Sequence, residues 1–235
     1  MKRRRLGQHY LTDSAVAQRM IGEAQIRPED RVLEIGTGKG FLTKRLTRLG
    51  SNLLGYEIDA ENYRETLEVV SGHSATIRLG NAFLVKPKFD VLISSLPYSE
   101  SSTFIEWISQ AKYRRGVVLL QADFVRKLLT PPGSRDYRGV SVIAQVSSEI
   151  NVIAPVAKSS FSPPPKVESA IVSITPRTRM SELLISRIKR LFSLRRRMVT
   201  AALADLGFET AGQSFGTRRV YSLTPGEVME ICRRE

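Results

Sequence analysis

The chain has 235 residues, with 36 Lys and Arg against 23 Asp and Glu, a formal net charge of +13 and an isoelectric point near 10.2. Its 42% hydrophobic and 25% charged residues mark a globular chain long enough to bury a core, and the charge excess points to a polyanionic partner instead of ordinary small-molecule metabolism. One cysteine, Cys232, with His9 and His73 as the only histidines, excludes an intramolecular disulfide and a Cys/His structural zinc, so no metal is expected.

The basic start Met1-Lys-Arg-Arg-Arg5 runs into Leu6-Gly-Gln-His-Tyr10 where a secretory leader would be apolar, and no run is long enough to cross a bilayer. The expectation is a cytoplasmic protein with no membrane association. From Arg31 onward, β-branched and leucine-rich runs alternate with helix-length amphipathic segments. Strands are predicted over Val32–Ile35, Leu53–Ile58, Thr76–Leu79, Asp90–Ser94 and Val117–Gln121. Helices are predicted over Phe41–Arg48, Glu61–Val70, Thr103–Ala111 and Phe124–Leu129, which is the alternation of an open α/β sheet. Two further apolar runs, Ile150–Val156 and Ser169–Thr175, flank Ser162-Pro-Pro-Pro-Lys166. That triplet predicts a rigid, extended surface connection, since proline cannot donate to a ladder.

After Pro176 the strand signal stops, and Leu183–Leu194, Met198–Leu206 and Pro225–Arg233 read as helices. The expected organisation is an α/β domain over 1–176 and a small helical domain over 177–235. The last 60 residues carry a net +6 and the preceding 175 the remaining +7, so positive charge is about twofold denser in the helical part.

Within Val32-Leu-Glu-Ile-Gly-Thr-Gly-Lys-Gly40 three glycines follow the first strong strand, where a tight turn can bring backbone close to a ligand. The spacing Gly36-x-Gly38-x-Gly40 differs from the dinucleotide fingerprint G-x-G-x-x-G, and no phosphate-loop pattern G-x-x-x-x-G-K-[ST] occurs. Glu57, in Gly55-Tyr-Glu-Ile-Asp59, ends the second strand where an acid can accept both hydroxyls of a ribose. A nucleoside cofactor without a pyrophosphate fits this pair, and S-adenosylmethionine is one.

Further along, Ser95-Leu-Pro-Tyr98 resembles the (Asn/Asp/Ser)-x-Pro-(aromatic) motif of amino methyltransferases. More closely, the chain resembles the KsgA-type rRNA adenine N6,N6-dimethyltransferases, which modify two adjacent adenines of small-subunit rRNA. Leu6-Gly-Gln-His-Tyr-Leu11 is similar to that family's opening motif, Val32–Gly40 to its glycine motif and Glu57-Ile-Asp59 to its E-I-D. The most specific match is Phe161-Ser-Pro-Pro-Pro-Lys-Val-Glu-Ser-Ala170, and the likeness continues through Phe192–Val199 and Leu223–Glu227. The chain departs from the family's usual residues at His9 (often Asn), Asn81 (Asp) and Ser95 (Asn).

The resemblance implies a Rossmann-like class I methyltransferase sheet with a C-terminal helical domain, binding S-adenosylmethionine and acting during ribosome biogenesis. Gln8, His9 and Leu11, the turn residues Gly36, Thr37, Gly38 and Gly40, then Glu57 with Ile58, Asn81 with Ala82, and Ser95 are the implied cofactor contacts. Ser95, Leu96, Pro97 and Tyr98 are the implied catalytic set: acceptors at the Ser95 hydroxyl and the Leu96 or Pro97 carbonyl bind the amino hydrogens, and Tyr98 stacks on the extruded base. Arg187, Lys189, Arg190, Arg195, Arg196 and Arg197 are the expected RNA contacts. The expected partner is small-subunit rRNA or a precursor of the small ribosomal subunit, engaged by a monomer. The alternative reading is a methyltransferase-fold ribosome-assembly or nucleic-acid-binding factor with little or no catalysis.

Overall fold

The computed structural model describes residues 9–50, 52–208 and 215–233. Its central strand is β2 (Arg31–Ile35), which is buried from Val32 to Ile35, as a parallel strand covered on both faces must be. On one side lie β3 (Asn52–Glu57) and β4 (Ala75–Leu79), both parallel. On the other lie β5 (Val91–Ser95) and β6 (Arg115–Gln121), also parallel. The edge is completed by two antiparallel strands, β7 (Ser148–Val156) and β9 (Ser169–Pro176), giving the order β4-β3-β2-β5-β6-β9-β7. The chain runs outward from β2 in one direction and then returns to start the other half at β5. The crevice between the carboxyl ends of β2 and β5 is therefore the switch point, where open α/β sheets bind ligands.

Alternate residues of each strand feed two separate cores. Val32, Val91, Ile93, Val117 and Leu119 face the cluster closed by α1 (Ser14–Ala24), while Leu33, Leu92, Val118 and Leu120 face the other. On that second face lie α4 (Ser101–Ile108) and α6 (Gly139–Ser147), and the same apolar cluster continues into α7 (Glu182–Ser193), α8 (Val199–Leu206) and α9 (Pro225–Arg233). The helices after Pro176 are thus built onto the sheet through α6. The contact is close: a Cβ at Gly139 would sit 3.3 Å from Phe192 Cβ.

The remaining helices, α2 (Thr43–Leu46), α3 (Ala60–Val69) and α5 (Ala122–Leu129), are connections within the sheet. Both α1 and α3 start on aspartates, with Asp13 accepting from Ala15 and Val16 N–H and Asp59 from Glu61 and Asn62 N–H. A small second sheet pairs β1 (Tyr10–Leu11) with β8 (Phe161–Ser162) in antiparallel register. The proline connection is therefore part of a ladder at its first residue, and of its three prolines only Pro165 is buried. Among the described residues no helix is long and apolar enough to cross a membrane.

Candidate active site

At the carboxyl end of β2 the chain turns sharply. Gly36, Gly38 and Gly40 all have positive φ (74°, 55° and 76°), a region costly to side chains with a Cβ. At Gly38 space is short as well, since an added Cβ would meet the Tyr10 ring at 3.2 Å. Gly55, one strand away, does the complementary work: a Cβ there would lie 2.7 Å from Thr37 Cγ2, so its absence lets the turn settle against β3. Thr37 is buried and its hydroxyl pairs with that of Thr66 at 3.1 Å.

This turn forms one wall of a cavity of about 480 Å³, within the range of a cofactor site. The opposite ends are furnished by strand termini. Glu57, 5% exposed at the end of β3, accepts from Gly38 N–H at 2.7 Å, Ile58 N–H at 2.8 Å and Asp59 N–H at 2.9 Å. Burial raises its pKa and those donors offset part of the rise. Ile58 lies exposed at the rim, and Ala82 is buried in the floor beside Asn81. Asn81 caps the short 3-10 turn Ala82–Leu84, its Oδ1 accepting from Phe83 N–H at 2.9 Å.

Ser95, the last residue of β5, reaches the same cavity, as do Leu96 and Pro97. The Leu96 side chain is buried in the core, so only its backbone is available. The Pro97 carbonyl already accepts from Glu100 N–H at 2.9 Å, leaving the Leu96 carbonyl as the better-placed acceptor of the two. Tyr98 stands beside the cavity and is not in its lining. Its hydroxyl is tied to Ser169 Oγ at 2.6 Å, and its ring lies 5.8 Å from that of His9.

His9 and Leu11 line the cavity from the N-terminal side, whereas Gln8 lies outside the described residues. His9 Nδ1 is 2.7 Å from the Pro163 carbonyl; a carbonyl only accepts, so Nδ1 carries the proton. Two participants were not singled out from the sequence. Tyr10 covers the turn and donates to Asn62 Oδ1 at 3.2 Å. Glu34, inside β2, is 1% exposed and faces the cavity, with Oε2 lacking a hydrogen-bond partner. Burial, aided by the nearby Glu57 charge and partly relieved by Thr43, pushes its carboxyl up to about 8. The signal for it was present, as a lone acid in an apolar strand just before the glycines.

The cationic residues of the helical part are distributed unequally. Arg187 and Arg190 lie over the Phe208 ring at 5.0 and 5.5 Å, Lys189 pairs with Glu106 at 2.8 Å and Arg197 pairs with Asp205. Arg195 sits near Arg196 and near Arg135 and Arg138 of the loop before α6, where the Arg135 carbonyl accepts from Arg138 at 2.5 Å and from Arg195 at 3.2 Å. Burial first, then the charges of Arg138 and Arg196, hold the Arg195 guanidinium below its usual range.

The strand order and the crevice define a class I S-adenosylmethionine methyltransferase fold. Solved structures share it: a dimethyladenosine transferase from Plasmodium falciparum superposes with a TM-score of 0.78 at 23% identity, covering 95% of this chain and 96% of that one. The 23S rRNA methyltransferase ErmE gives 0.64 at 24% identity, covering 96% and 100%. The chain belongs to the family described as "Ribosomal RNA adenine dimethylase", whose profile matches residues 1–233. Among its relatives, the "Probable ribosomal RNA small subunit methyltransferase A" of Pyrococcus abyssi is 33% identical over 97% of this chain and 89% of its own length. The "Ribosomal RNA small subunit methyltransferase A" of Thermotoga petrophila is 29% identical over 99% and 91%. This is an S-adenosylmethionine-dependent rRNA methyltransferase.

Proposed function

We propose that the protein converts adenines of small-subunit rRNA to N6,N6-dimethyladenosine during ribosome biogenesis, acting as a monomer in the cytoplasm. The observation that carries this reading is the meeting of Ser95, Leu96 and Pro97, with Tyr98 beside them, with the glycine turn and Glu57 at one cavity at the switch point. The cavity suits the cofactor: Glu57 would hold the ribose, the Gly36–Gly40 backbone would lie against the methionine part, and the orphan oxygen of buried Glu34 would receive its ammonium. When bound, S-adenosylmethionine supplies a methyl group already activated by sulfonium.

The chain's own task is to prepare the nucleophile. An adenine amino nitrogen is weakly nucleophilic because its lone pair is delocalised into the ring. The Ser95 hydroxyl and Leu96 carbonyl would each accept one amino N–H, turning the lone pair toward the methyl. Tyr98, anchored by Ser169, would support the base by stacking. Delivery of the RNA would fall to the helical unit of 177–235. There the cluster Arg195, Arg196, Arg135 and Arg138 concentrates like charge around one acid, Asp136, an arrangement that a phosphate would relieve.

The test is incubation with labelled S-adenosylmethionine and small subunits lacking native adenine dimethylation, followed by mapping of the product. Label in N6,N6-dimethyladenosine is expected. Cofactor binding with no transfer to the subunit would refute the proposal.

A further inference from the structure

Asn81 differs from a carboxylate at its position in one respect that the geometry makes consequential. Its side chain caps the turn Ala82–Leu84, and the Phe83 N–H at 2.9 Å can only be received by an oxygen. The amide is therefore fixed in orientation. Oδ1 is engaged with the backbone, and the end left over is Nδ2 with two N–H donors, for which no partner occurs among the described residues. Gly80 N–H donates to the Glu57 carbonyl at 2.7 Å, so Asn81 sits one residue beyond a direct link to the strand end that carries Glu57. If Glu57 takes the ribose, the base attached to that ribose lies toward Asn81.

We propose that Asn81 makes this pocket indifferent to the substituent at position 6 of the cofactor's purine, so that a 6-oxopurine nucleoside thioether binds about as well as the 6-aminopurine one. The inference rests on reading the cavity as the S-adenosylmethionine site. A 6-amino group presents donors, and so does Nδ2; the two meet favourably only if the amino group shares the already engaged Oδ1 or Nδ2 turns to ring N1. A 6-oxo group presents an acceptor to Nδ2, and the protonated N1 beside it donates to the second lone pair of Oδ1. An amide thus meets either edge at two points, the 6-oxo one through Nδ2 at the carbonyl and Oδ1 at N1–H, the 6-amino one through Oδ1 at the amino group and Nδ2 at ring N1. A carboxylate would keep the cap through one oxygen and aim the other at position 6, welcoming an amino group and repelling a carbonyl.

The test uses the intact protein and two product analogues, S-adenosylhomocysteine and S-inosylhomocysteine, titrated calorimetrically into wild type and Asn81→Asp. Aspartate is as good a cap as asparagine, so the turn should be preserved. Wild-type affinities are expected to agree within about threefold, and Asn81→Asp should shift the ratio toward the adenosyl compound by about ten- to a hundredfold. A wild-type adenosyl preference above about threefold, or a ratio widened by less than about tenfold in Asn81→Asp, overturns the proposal. Failure of wild type to bind either compound would overturn the cofactor reading along with it.

Discussion

Glu34 permits a prediction in which stability and pH are coupled with a definite sign. Its carboxyl is 1% exposed and titrates near 8 in the fold, against about 4.5 for an unperturbed glutamate. Below 4.5 both the folded and unfolded chains hold the proton and the site costs nothing through ionisation. Between 4.5 and 8 the unfolded chain releases it while the folded chain retains it, so stability falls as pH rises, by up to about 1.4 kcal/mol per pH unit. Above 8 the accumulated cost reaches about 5 kcal/mol, an upper value because relaxation and water entry reduce it. Glu34→Gln keeps the shape and removes the ionisation. Urea unfolding of both proteins from pH 5 to pH 9 should show the variant gaining on wild type with each pH step, with most of the gain in place by pH 8. The same variant should bind S-adenosylmethionine more weakly, since an ammonium arriving at Glu34 favours loss of the carboxyl proton and then faces a carboxylate, whereas the amide stays neutral. A stability difference that stays constant across this pH range would refute the assignment of Glu34 as a buried, upward-shifted acid.

Gly38→Ala forces a Cβ into φ +55° and against Tyr10, and should cost about 1–2 kcal/mol in unfolding free energy while weakening cofactor binding; unchanged melting and affinity would show that the turn yields freely. Ser95→Ala should reduce single-turnover methyl transfer by about ten- to a hundredfold with cofactor affinity within about twofold, whereas wild-type transfer would remove the hydroxyl from the mechanism. Reversing Arg195 and Arg196 together to glutamate should weaken subunit binding and flatten the slope of log affinity against log salt by about 1.4–1.8. A slope equal to wild type would place the docking surface elsewhere.

The strands were readable because parallel strands covered on both faces need nearly continuous apolar runs: Val117–Leu120 is unbroken, Val32–Ile35 is interrupted only by Glu34, and Leu53–Glu57 only at its terminal acid. At β5 the observed end is Ser95 instead of Ser94, which matters because it places Ser95 in register with Leu119 on rigid backbone. Two helices escaped prediction for different reasons. In α6 the residues Val140, Val142, Ile143 and Val146 favour strand locally, and burial on nearly every side erases the helical period. In α1 the apolar positions are mostly small, with Ala17 and Ala24 buried beside Met20, so the stripe is faint. The glycine turn and Glu57 could be read because spacing alone marks them. Glu34 could not be separated from a misplaced strand residue without knowing that both faces of β2 are covered, and the partner that leaves Asn81 a donor is a backbone N–H with no sequence signature.

The pairing of two segments about 150 residues apart explains why the opening motif and the proline motif occur in one chain. Tyr10 and Leu11 are in register with Ser162 and Phe161, and Thr12 N–H donates to the Ser160 carbonyl at 2.9 Å. Ser160 Oγ donates to Asp13 Oδ2 at 2.9 Å, so the residue that caps α1 is held by the same stretch that leads into the prolines. His9 extends the stitching to Pro163, and Tyr10 carries it inward to Gly38 and Asn62. A ladder of two residues is too short to stand alone. It persists because Leu11 and Phe161 are both buried in the core closed by α1, which fixes the strands that the few hydrogen bonds then align. The consequence is mechanical: the Gly38 turn, the Tyr98–His9 ring pair and the proline connection are joined through one short strand. A shift of that connection would therefore reach the glycine turn through Tyr10, without passing through the central sheet.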